Sequence, residues 1–324
     1  MRDKTYRIAI RKRNEDVFWE DPDYRFFETR PKNSRYWQAD PFLFDYDHRT
    51  YLFYESFDRI RRKGMIACAE VQDGQQLKQK IIIDEPFHLS FPCVFREKED
   101  IYLMPESCGD NSILLYKAIR FPEQWERIAI KESVFSCDSI WMMDQNGKTG
   151  LITSEMFQPE KPGTLQSCYV RNVFYPIRSG FPHLAEQGTV IGEGDYGIRN
   201  AGAMFYHQNQ LIRPGQDCTE NRYGNGTVFF QVESTTPYQE TEVAHLKKEE
   251  LDKHLKRRGR EPLLGTHTYN QSSRYETVDF SFMEDLPVHV VARFFCRRVC
   301  GKIKRILDRL NKKSNVISEM GNPE

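Results

Sequence analysis

The sequence predicts an all-β fold, a five-bladed β-propeller, from a hairpin that occurs repeatedly along the chain. Residues 40–55 and 91–106 share one layout: an X-Pro step, two apolar runs separated by a polar turn, and a closing glutamate. The spacing from Pro41 to Glu55 equals that from Pro92 to Glu106. A hairpin repeated about every fifty residues is typical of propellers. A twisted β-sandwich with accidental similarity between its hairpins is the alternative.

Three further hairpins continue the series, beginning at Asp138, Asn200 and His267. The third contains Asn-Gly at 146–147, a strong hairpin turn signal, and the fifth is the weakest copy. The intervals leave room for a four-stranded blade in each repeat, so residues 1–287 are predicted to form the propeller. The segment 6–10 precedes the first repeat and is expected to close the ring against the last blade.

Two segments have helical patterns. Residues 242–260 combine spaced apolar positions with dense charge, which predicts a solvated surface helix inserted in the propeller. Residues 288–324 form a separate tail of net charge +6, leaving −6 on the rest of the chain. Within it, 288–313 reads as a basic amphipathic helix, which suits an anionic membrane surface. Docking on the protein's own body or on a second copy is the alternative.

Composition excludes several classes of function. Lysine plus arginine and aspartate plus glutamate number 47 each, so no global basic field indicates nucleic acid. The charged N-terminus and the lack of a long apolar run predict a cytoplasmic protein, peripheral to the inner face of the plasma membrane. Eight scattered cysteines without a C-x-x-C pair predict reduced thiols and no metal site. The G-x-G-x-x-G pattern at 192–197 precedes a strand-like run, so no cofactor is predicted.

A propeller gathers the ends of its inner strands around one axis, so polar residues at equivalent repeat positions should form one site. The polar residues at inner-strand starts and second-strand ends are Asp40, Asp138, Asn200, Glu55, Glu106 and Glu155. Crowded carboxylates separate in pKa, which allows one to act as acid and another as base, as in glycoside chemistry. The alternative is that they bond strand-end backbone or pair with Arg199 and Arg213.

Further polar residues in turn contexts are candidates for substrate binding. They are His88, Arg199, Arg213, Gln216 and His267. Arginine is suited to bidentate binding of carboxylate or phosphate. Trp37, just before the first repeat, offers a ring on which a sugar could stack.

These segments resemble a known family. Residues 37–44, 51–55, 88–92, 101–107, 115–118, 213–216 and 265–268, with Phe121-Pro122-x-x-Trp125, resemble the N-terminal domain of glucosamine inositolphosphorylceramide transferases and its bacterial relatives, over about residues 30–280. More distantly, the chain is similar to the five-bladed propellers of family 43 and family 32 glycoside hydrolases. That resemblance implies that Asp40 is the catalytic base or nucleophile. The usual third-blade acid motif is missing, so Asp138 or Glu155 could replace it, and Glu106 is the other candidate acid.

The predicted function is that of a glycan-active enzyme, foremost a membrane-peripheral glycosyltransferase or transglycosylating enzyme of cell-surface polysaccharide or glycolipid biosynthesis. Asp40, Glu106 and Asp138 are the predicted catalytic residues. The substrate is expected to be a sugar or glycan, lipid-linked or nucleotide-activated. A glycoside hydrolase is one alternative. A non-catalytic glycan-binding module is another, because in the plant transferases this domain precedes a separate glycosyltransferase domain.

Overall fold

The computed structural model describes residues 1–13, 25–144, 147–156, 168–293 and 295. Within these residues the strands form five sheets, each antiparallel apart from one short parallel edge pair. The sheets are the blades of a five-bladed β-propeller, so the predicted fold class is confirmed.

The first three blades are simple four-stranded meanders. Blade 1 consists of Tyr36–Tyr46, Arg49–Asp58, Lys63–Gln72 and Gln75–Ile83. Blade 2 consists of Ser90–Glu97, Asp100–Glu106, Ser112–Arg120 and Gln124–Glu132. Blade 3 consists of Ser136–Asp144, Gly147–Met156, Val170–Pro176 and Thr189–Gly194. In each of these blades the first strand in the sequence is an edge strand of the sheet, and we refer to it as the inner strand.

The last two blades are less regular. In blade 4, Tyr196–Asn200 and Phe205–His207 both pair with Gln210–Asp217, which is followed by Gly226–Thr235 and Tyr238–Lys247. Blade 5 consists of Tyr269–Gln271, Tyr275–Asp285, Arg2–Lys12, Phe26–Glu28 and Leu255–Lys256. Short 3₁₀ turns lie at Cys108–Asp110 and Thr219–Asn221, and an α-helix spans Lys248–His254.

The N-terminal strand closes the ring, as the sequence predicted. Arg2–Lys12 pairs antiparallel with Tyr275–Asp285 along its whole length. The side chain of Arg59 in blade 1, only 2% exposed, bonds Asp3 and Glu284 in blade 5 at 3.0 and 2.8 Å. Backbone pairing within blade 5 and buried ion pairs to blade 1 therefore hold the closure.

The core lies between the blades. Many strand residues are buried on both faces, which explains why the strands read as nearly continuous apolar runs. Phe42 of blade 1 packs edge-on against Phe91 of blade 2, with ring centroids 4.8 Å apart. Cys68, Cys93 and other thiols are free and buried in the blades, where they act as small apolar side chains.

The predicted helix at 242–260 is largely wrong. Residues 242–247 belong to the outer strand of blade 4, Tyr238–Lys247, which pairs with Gly226–Thr235. Helix is confined to Lys248–His254. Leu246 in the strand and Leu251 in the helix are buried in the same apolar cluster. The strand is at the sheet edge, where dense charge is favourable, and this charge mimicked a solvated helix.

Only the beginning of the basic tail can be described. Residues 288–293 are helical, with 295 also in helical conformation. The remainder of the predicted 288–313 helix lies outside the described residues. Within the part of the chain that the structure describes, no helix has the length and apolar character needed to cross a membrane.

Candidate active site

The site is shaped by one irregularity that three blades share. The register of the inner strand shifts at Asp40, Phe91 and Asp138, and these residues have φ angles of 51, 44 and 48°. Non-glycine residues rarely adopt this left-handed conformation, and such outliers concentrate at functional sites. A bulge redirects a side chain out of the regular strand pattern. At Asp40 and Phe91 it also redirects a backbone N–H group onto a carboxylate of the neighbouring blade.

Asp40 joins three blades. Its carboxylate accepts the N–H of Phe91 at 3.2 Å and the hydroxyl of Thr268 at 2.9 Å, and His267 Nε2 lies 3.2 Å from Oδ1. The side chain is buried, which alone would raise its pKa, but His267 and the other donors hold the pKa below its ordinary value. Asp40 is therefore an anion at neutral pH. A carboxylate has about four acceptor positions, so three donors leave room for one more.

His267 is positively charged because two carboxylates flank it. Its Nδ1 lies 2.9 Å from Asp279, and its Nε2 faces Asp40. Burial opposes the charge, but Asp279 and Asp40 raise the pKa of His267 to about 10. Asp279, with no exposed surface, also accepts backbone N–H groups of Asp40, His267 and Thr268. The sequence predicted His267 as a substrate-binding residue, and the structure places it in the floor of the site.

Arg199 connects the carboxylates on the opposite side. Its Nε donates to Asp138 at 2.5 Å, and its Nη2 lies 3.5 Å from Glu106. Gln216 donates to the same oxygen of Asp138 at 2.9 Å, and Asn200 donates to the Asp138 carbonyl at 2.8 Å. Asp138 is thus fixed from blade 4. Asn200 and Gln216, predicted to bind substrate, orient Asp138 in the structure.

Glu106 has the properties of an acid. Burial and the neighbouring Asp138 raise its pKa to about 8, even though Arg199 lowers it. Burial also raises the pKa of Asp138, but Arg199 and Gln216 donate directly to its carboxylate. The proton that this pair holds at neutral pH therefore resides on Glu106. The site contains an ionised Asp40 and a protonated Glu106, which is the division of roles that acid–base chemistry requires.

Glu55 is a buried carboxyl with an unused acceptor. It is 4% exposed, and its Oε1 has no hydrogen-bond partner among the described residues. Burial together with Asp40 and Glu106 raises the pKa of Glu55 well above its ordinary range. His88 accepts the N–H of Gly64 through Nδ1, so its Nε2 carries the proton and lies 3.4 Å from Glu55 Oε1. Glu55 and His88 form a third polar pair beside Asp40.

Aromatic rings line the same region. Tyr6 lies between Trp37 and His267, with ring centroids 5.2 and 5.1 Å away. Trp37 is stacked on Phe57 at 4.3 Å. Tyr223 packs edge-on against His267 at 5.0 Å. Trp37, a predicted stacking residue, thus belongs to an aromatic cluster adjoining the carboxylates.

Two predicted site residues lie elsewhere. Arg213 is 1% exposed and makes two bonds to Glu240, at 2.5 and 2.7 Å, so it holds blade 4 together. The residue of blade 3 at the position of Glu106 is Ser154, because Cys137↔Ser154 is the pair before the bulge, as Ser90↔Glu106 is in blade 2.

Glu155 follows that position by one residue. Such a step turns a side chain to the opposite face of a strand. There Glu155 accepts a hydrogen bond from Tyr175 at 2.5 Å, and Tyr175 belongs to the apolar core. The prediction that Glu155 faces the axis with Glu55 and Glu106 is therefore corrected.

Sequence reasoning missed Asp279 and Tyr6. Asp279 is the polar residue between Val278 and Phe280, both fully buried, and a charged residue inside an apolar strand was the signal that could have found it. Tyr6 comes from the closing strand, which precedes the repeats.

Among the residues that the structure describes, two groups of side chains bring potential metal ligands within 4.8 Å of one another: Asp40 with His267 and Asp279, and Glu106 with Cys137 and Asp138. In the first group, both nitrogens of His267 face carboxylates and the ring is protonated, so it has no lone pair for a metal. In the second group, the Arg199 guanidinium already supplies the positive charge. Cys137 of the second group donates to the Ser154 carbonyl instead of facing an ion.

Residues 28–270 match the family model described as glucosamine inositolphosphorylceramide transferase 1, N-terminal. The chain belongs to this family. It is 33% identical over 216 residues to glucosamine inositolphosphorylceramide transferase 1 of Arabidopsis thaliana, and 29% identical over 212 residues to that of Oryza sativa subsp. japonica. Each match covers 63% of this chain and 27% of the plant protein. The chain therefore aligns with about a quarter of these relatives.

Solved structures share the fold at low sequence identity. An α-L-arabinofuranosidase from Podospora anserina in complex with cellotriose has a TM-score of 0.55 at 9% identity, covering 82% of this chain and 98% of the enzyme. A family 62 α-L-arabinofuranosidase from Coprinopsis cinerea has a TM-score of 0.54 at 10% identity, covering 80% and 97%. A family 43 enzyme from Xanthomonas citri complexed with xylotriose has a TM-score of 0.50 at 10% identity, covering 79% and 88%. At these identities the likeness establishes the propeller fold alone.

Proposed function

We propose that this protein catalyses glycosyl transfer at the propeller axis, with Asp40 as general base and Glu106 as general acid. The observation that supports this most directly is the opposite protonation of two carboxyl groups in one site: the pKa of Asp40 lies below its ordinary value and that of Glu106 is about 8. Membership in a family named for a glucosamine inositolphosphorylceramide transferase supports transfer to an acceptor.

The chemistry requires one proton to arrive and another to leave. Glu106 donates its proton to the oxygen of the departing group as the bond from the anomeric carbon to that oxygen breaks. Asp40 accepts the proton of the attacking hydroxyl as its oxygen bonds to the anomeric carbon. Asp138 holds the proton on Glu106 by electrostatic repulsion, and Arg199 stabilises Glu106 after it ionises. The attacking hydroxyl belongs to a glycan or glycolipid acceptor in a transferase and to water in a hydrolase.

The test compares two donors under one set of variants. The full chain is incubated with UDP-activated glucosamine or N-acetylglucosamine and an inositol-phosphate lipid, and separately with cellotriose or xylotriose in water, with products measured by mass spectrometry. Asp40→Asn and Glu106→Gln should each lower turnover by about 10²- to 10⁴-fold, the usual contribution of acid–base catalysis.

A matched carboxyl outside the site provides the control, because Glu155→Gln changes the same chemical group and should leave turnover nearly unchanged. Products formed only from the trisaccharides would identify a hydrolase instead. Unchanged turnover in Asp40→Asn would refute the assignment of the base. Glycan binding without turnover by either route would identify a binding module and refute the catalytic proposal.

We also propose that the basic segment 288–313 attaches the protein to anionic membranes. The charge supports this, since residues 288–324 have nine basic and three acidic side chains. The protein truncated after residue 287 should fail to sediment with phosphatidylserine liposomes that retain the full chain, and the difference should disappear at high salt. Equal sedimentation of the two forms would refute this attachment.

A further inference from the structure

A second cavity lies in blade 1, on the opposite face of the strand that carries Trp37. Its volume is about 240 Å³, and it spans all four strands of the blade beneath residues 32–33. Alternation along a strand places neighbouring side chains on opposite faces. Trp37 therefore stacks on Tyr6 and Phe57 near the axial site, while Tyr36 and Gln38 line this cavity.

The cavity exists because a small residue lies where the blade face would otherwise be filled. Leu52, Tyr54, Ala67 and Ala69 pack in the apolar cluster between blades 1 and 5. Ala67 lines the cavity and is 1% exposed, so its short side chain leaves the space above it open. At about 30 Å³ for each water, the space holds roughly eight waters. That is enough for a six-membered sugar ring with its hydroxyl groups.

The walls are polar but carry no carboxylate. Gln38, 1% exposed, donates to Gln76 at 3.1 Å and to Gln79 at 3.3 Å. Gln79 donates to the Arg30 carbonyl at 2.7 Å and accepts the Tyr54 hydroxyl at 3.5 Å. This network fixes the orientation of the amides. Neutral donors and acceptors held in place in this way suit hydroxyl groups better than they suit ions.

Two hydroxyl groups at the cavity are uncommitted. Those of Ser56 and Tyr36 bond no other residue that the structure describes, although Ser56 is only 6% exposed. Each of these hydroxyl groups can therefore donate to and accept from a ligand that enters the cavity. The Tyr36 ring, backed by the Arg35 guanidinium at 5.4 Å, adds a rigid aromatic surface at the rim. Sugars offer both hydroxyl groups and an apolar ring face.

We propose that this cavity is a second sugar-binding site, which takes one neutral monosaccharide unit independently of the axial carboxylates. The remaining N–H of Gln79 donates to a ring hydroxyl, Ser56 adds a second hydrogen bond, and Tyr36 covers the sugar, while Gln38 holds Gln79 in place. Of the two lysines that line the cavity, Lys32 and Lys80, the second is paired with Glu123 at 2.7 Å, which reduces its attraction for an anionic ligand.

The experiment is saturation-transfer NMR on the full chain with glucose, N-acetylglucosamine and xylose as separate probes. At least one should bind with a Kd of about 1 mM, a usual strength for a small polar ligand. Tyr36→Ala should weaken binding about tenfold, and Ser56→Ala several-fold, through the lost ring contact and hydrogen bond. Tyr206→Ala is the matched control, since this tyrosine is 46% exposed on blade 4.

Three results would overturn the proposal. The first is no transfer from any of the three sugars, which would indicate a cavity filled by water alone. The second is equal binding by wild type, Tyr36→Ala and Ser56→Ala when all three melt at the same temperature. The third is binding that survives both substitutions but is lost in Trp37→Ala, because that would locate the sugar at the axis. Asp40→Asn should retain binding, which separates this proposal from the catalytic one.

Discussion

The two sides of the axial site use carboxylates in opposite ways. On the side of blades 5 and 1, Asp40 and Asp279 are surrounded by donors and flank a protonated His267. On the side of blades 2 and 3, Glu106 and Asp138 share one arginine and must hold a proton between them. The difference shows that hydrogen-bond supply decides the protonation of a buried acid, more than burial does, since burial is common to both sides.

The largest effect is expected on the donor-rich side. Asp279→Ala leaves His267 and three backbone N–H groups without their acceptor, so the free energy of unfolding should fall by about 3–5 kcal/mol. Urea titration measures it. Asp285→Ala is the control, because this aspartate ends the same strand with its side chain 81% exposed, and it should change stability by less than about 0.5 kcal/mol. A loss for Asp279→Ala below about 1 kcal/mol would contradict the central role given to Asp279.

Gly64→Ala tests the pair formed by Glu55 and His88, which lies beside Asp40. A Cβ at this position would overlap the Leu89 carbonyl, Glu55 Oε1 and the His88 ring. Overpacking of this kind should lower the free energy of unfolding by about 1–3 kcal/mol and reduce turnover. Gly109→Ala is the control, since its Cβ would come no closer than 3.2 Å to a neighbour. Equal stability of the two variants would show that the backbone at 64 moves without disturbing Glu55.

The pH dependence of kcat/KM tests the assignment of Glu106 as the acid. Its acid form is required, so kcat/KM should fall about tenfold per pH unit above pH 8, equivalent to about 1.4 kcal/mol per unit. Because the pKa of Glu106 in the folded protein is raised above its ordinary value of 4.5, the stabilising effect of the proton is complete below pH 4.5. It is lost as pH rises toward 8.

Protonation of Asp40 should not lower kcat/KM near neutral pH, since the pKa of Asp40 lies below 3.8. The check is a profile measured on wild type and on Glu106→Gln, in which the alkaline limb of the residual activity should disappear. An unchanged limb in the variant would assign it to another group.

The smallest effect is expected at Glu155. Glu155→Gln keeps an acceptor for the Tyr175 hydroxyl and lies outside the axial site, so turnover should stay within about twofold of wild type. Because the hydrogen bond is kept, the free energy of unfolding should change by less than about 0.5 kcal/mol. Turnover measured beside Glu106→Gln provides the comparison. A loss of turnover as large as that of Glu106→Gln would show that the Glu155 side chain faces the propeller axis.

The repeated hairpin predicted the features that depend on the order of the strands. It predicted few of those that depend on how two strands are aligned to within one residue. Asp40, Glu55 and Glu106 were found because two hairpins share their spacing. Glu155 was wrongly predicted to face the axis, because in blade 3 the residue paired just before the bulge is Ser154, one position earlier in the second strand. Counted from Asp138, the spacing shared by the first two hairpins leads to Thr153, so it identifies neither Ser154 nor Glu155, and only the observed pairing shows which residue precedes the bulge.

Other parts of the site depend on contacts between distant segments. Tyr6 and Asp279 meet His267 through pairing of the N-terminal strand with the last blade, which local patterns do not encode. The bulges at Asp40 and Asp138 were also not predicted from the sequence, because neither residue is a glycine, the usual sign of a positive φ angle. The family resemblance identified Asp40, and the protonation of Glu106 required the positions of Asp138 and Arg199.

Ring closure by Arg2–Lys12 has a consequence for the order of folding. Its partner, Tyr275–Asp285, is synthesised more than 260 residues later, so the edge of the first strand that faces it stays unpaired until the end of the chain is made, although the other edge can pair early with Phe26–Glu28. Bringing such distant segments together carries an entropic cost that only the finished ring offsets. The same event delivers Asp279 to the N–H of Asp40 and places Tyr6 against His267. The axial site is therefore assembled last, and a chain that has not closed presents Asp40 without its positively charged neighbour.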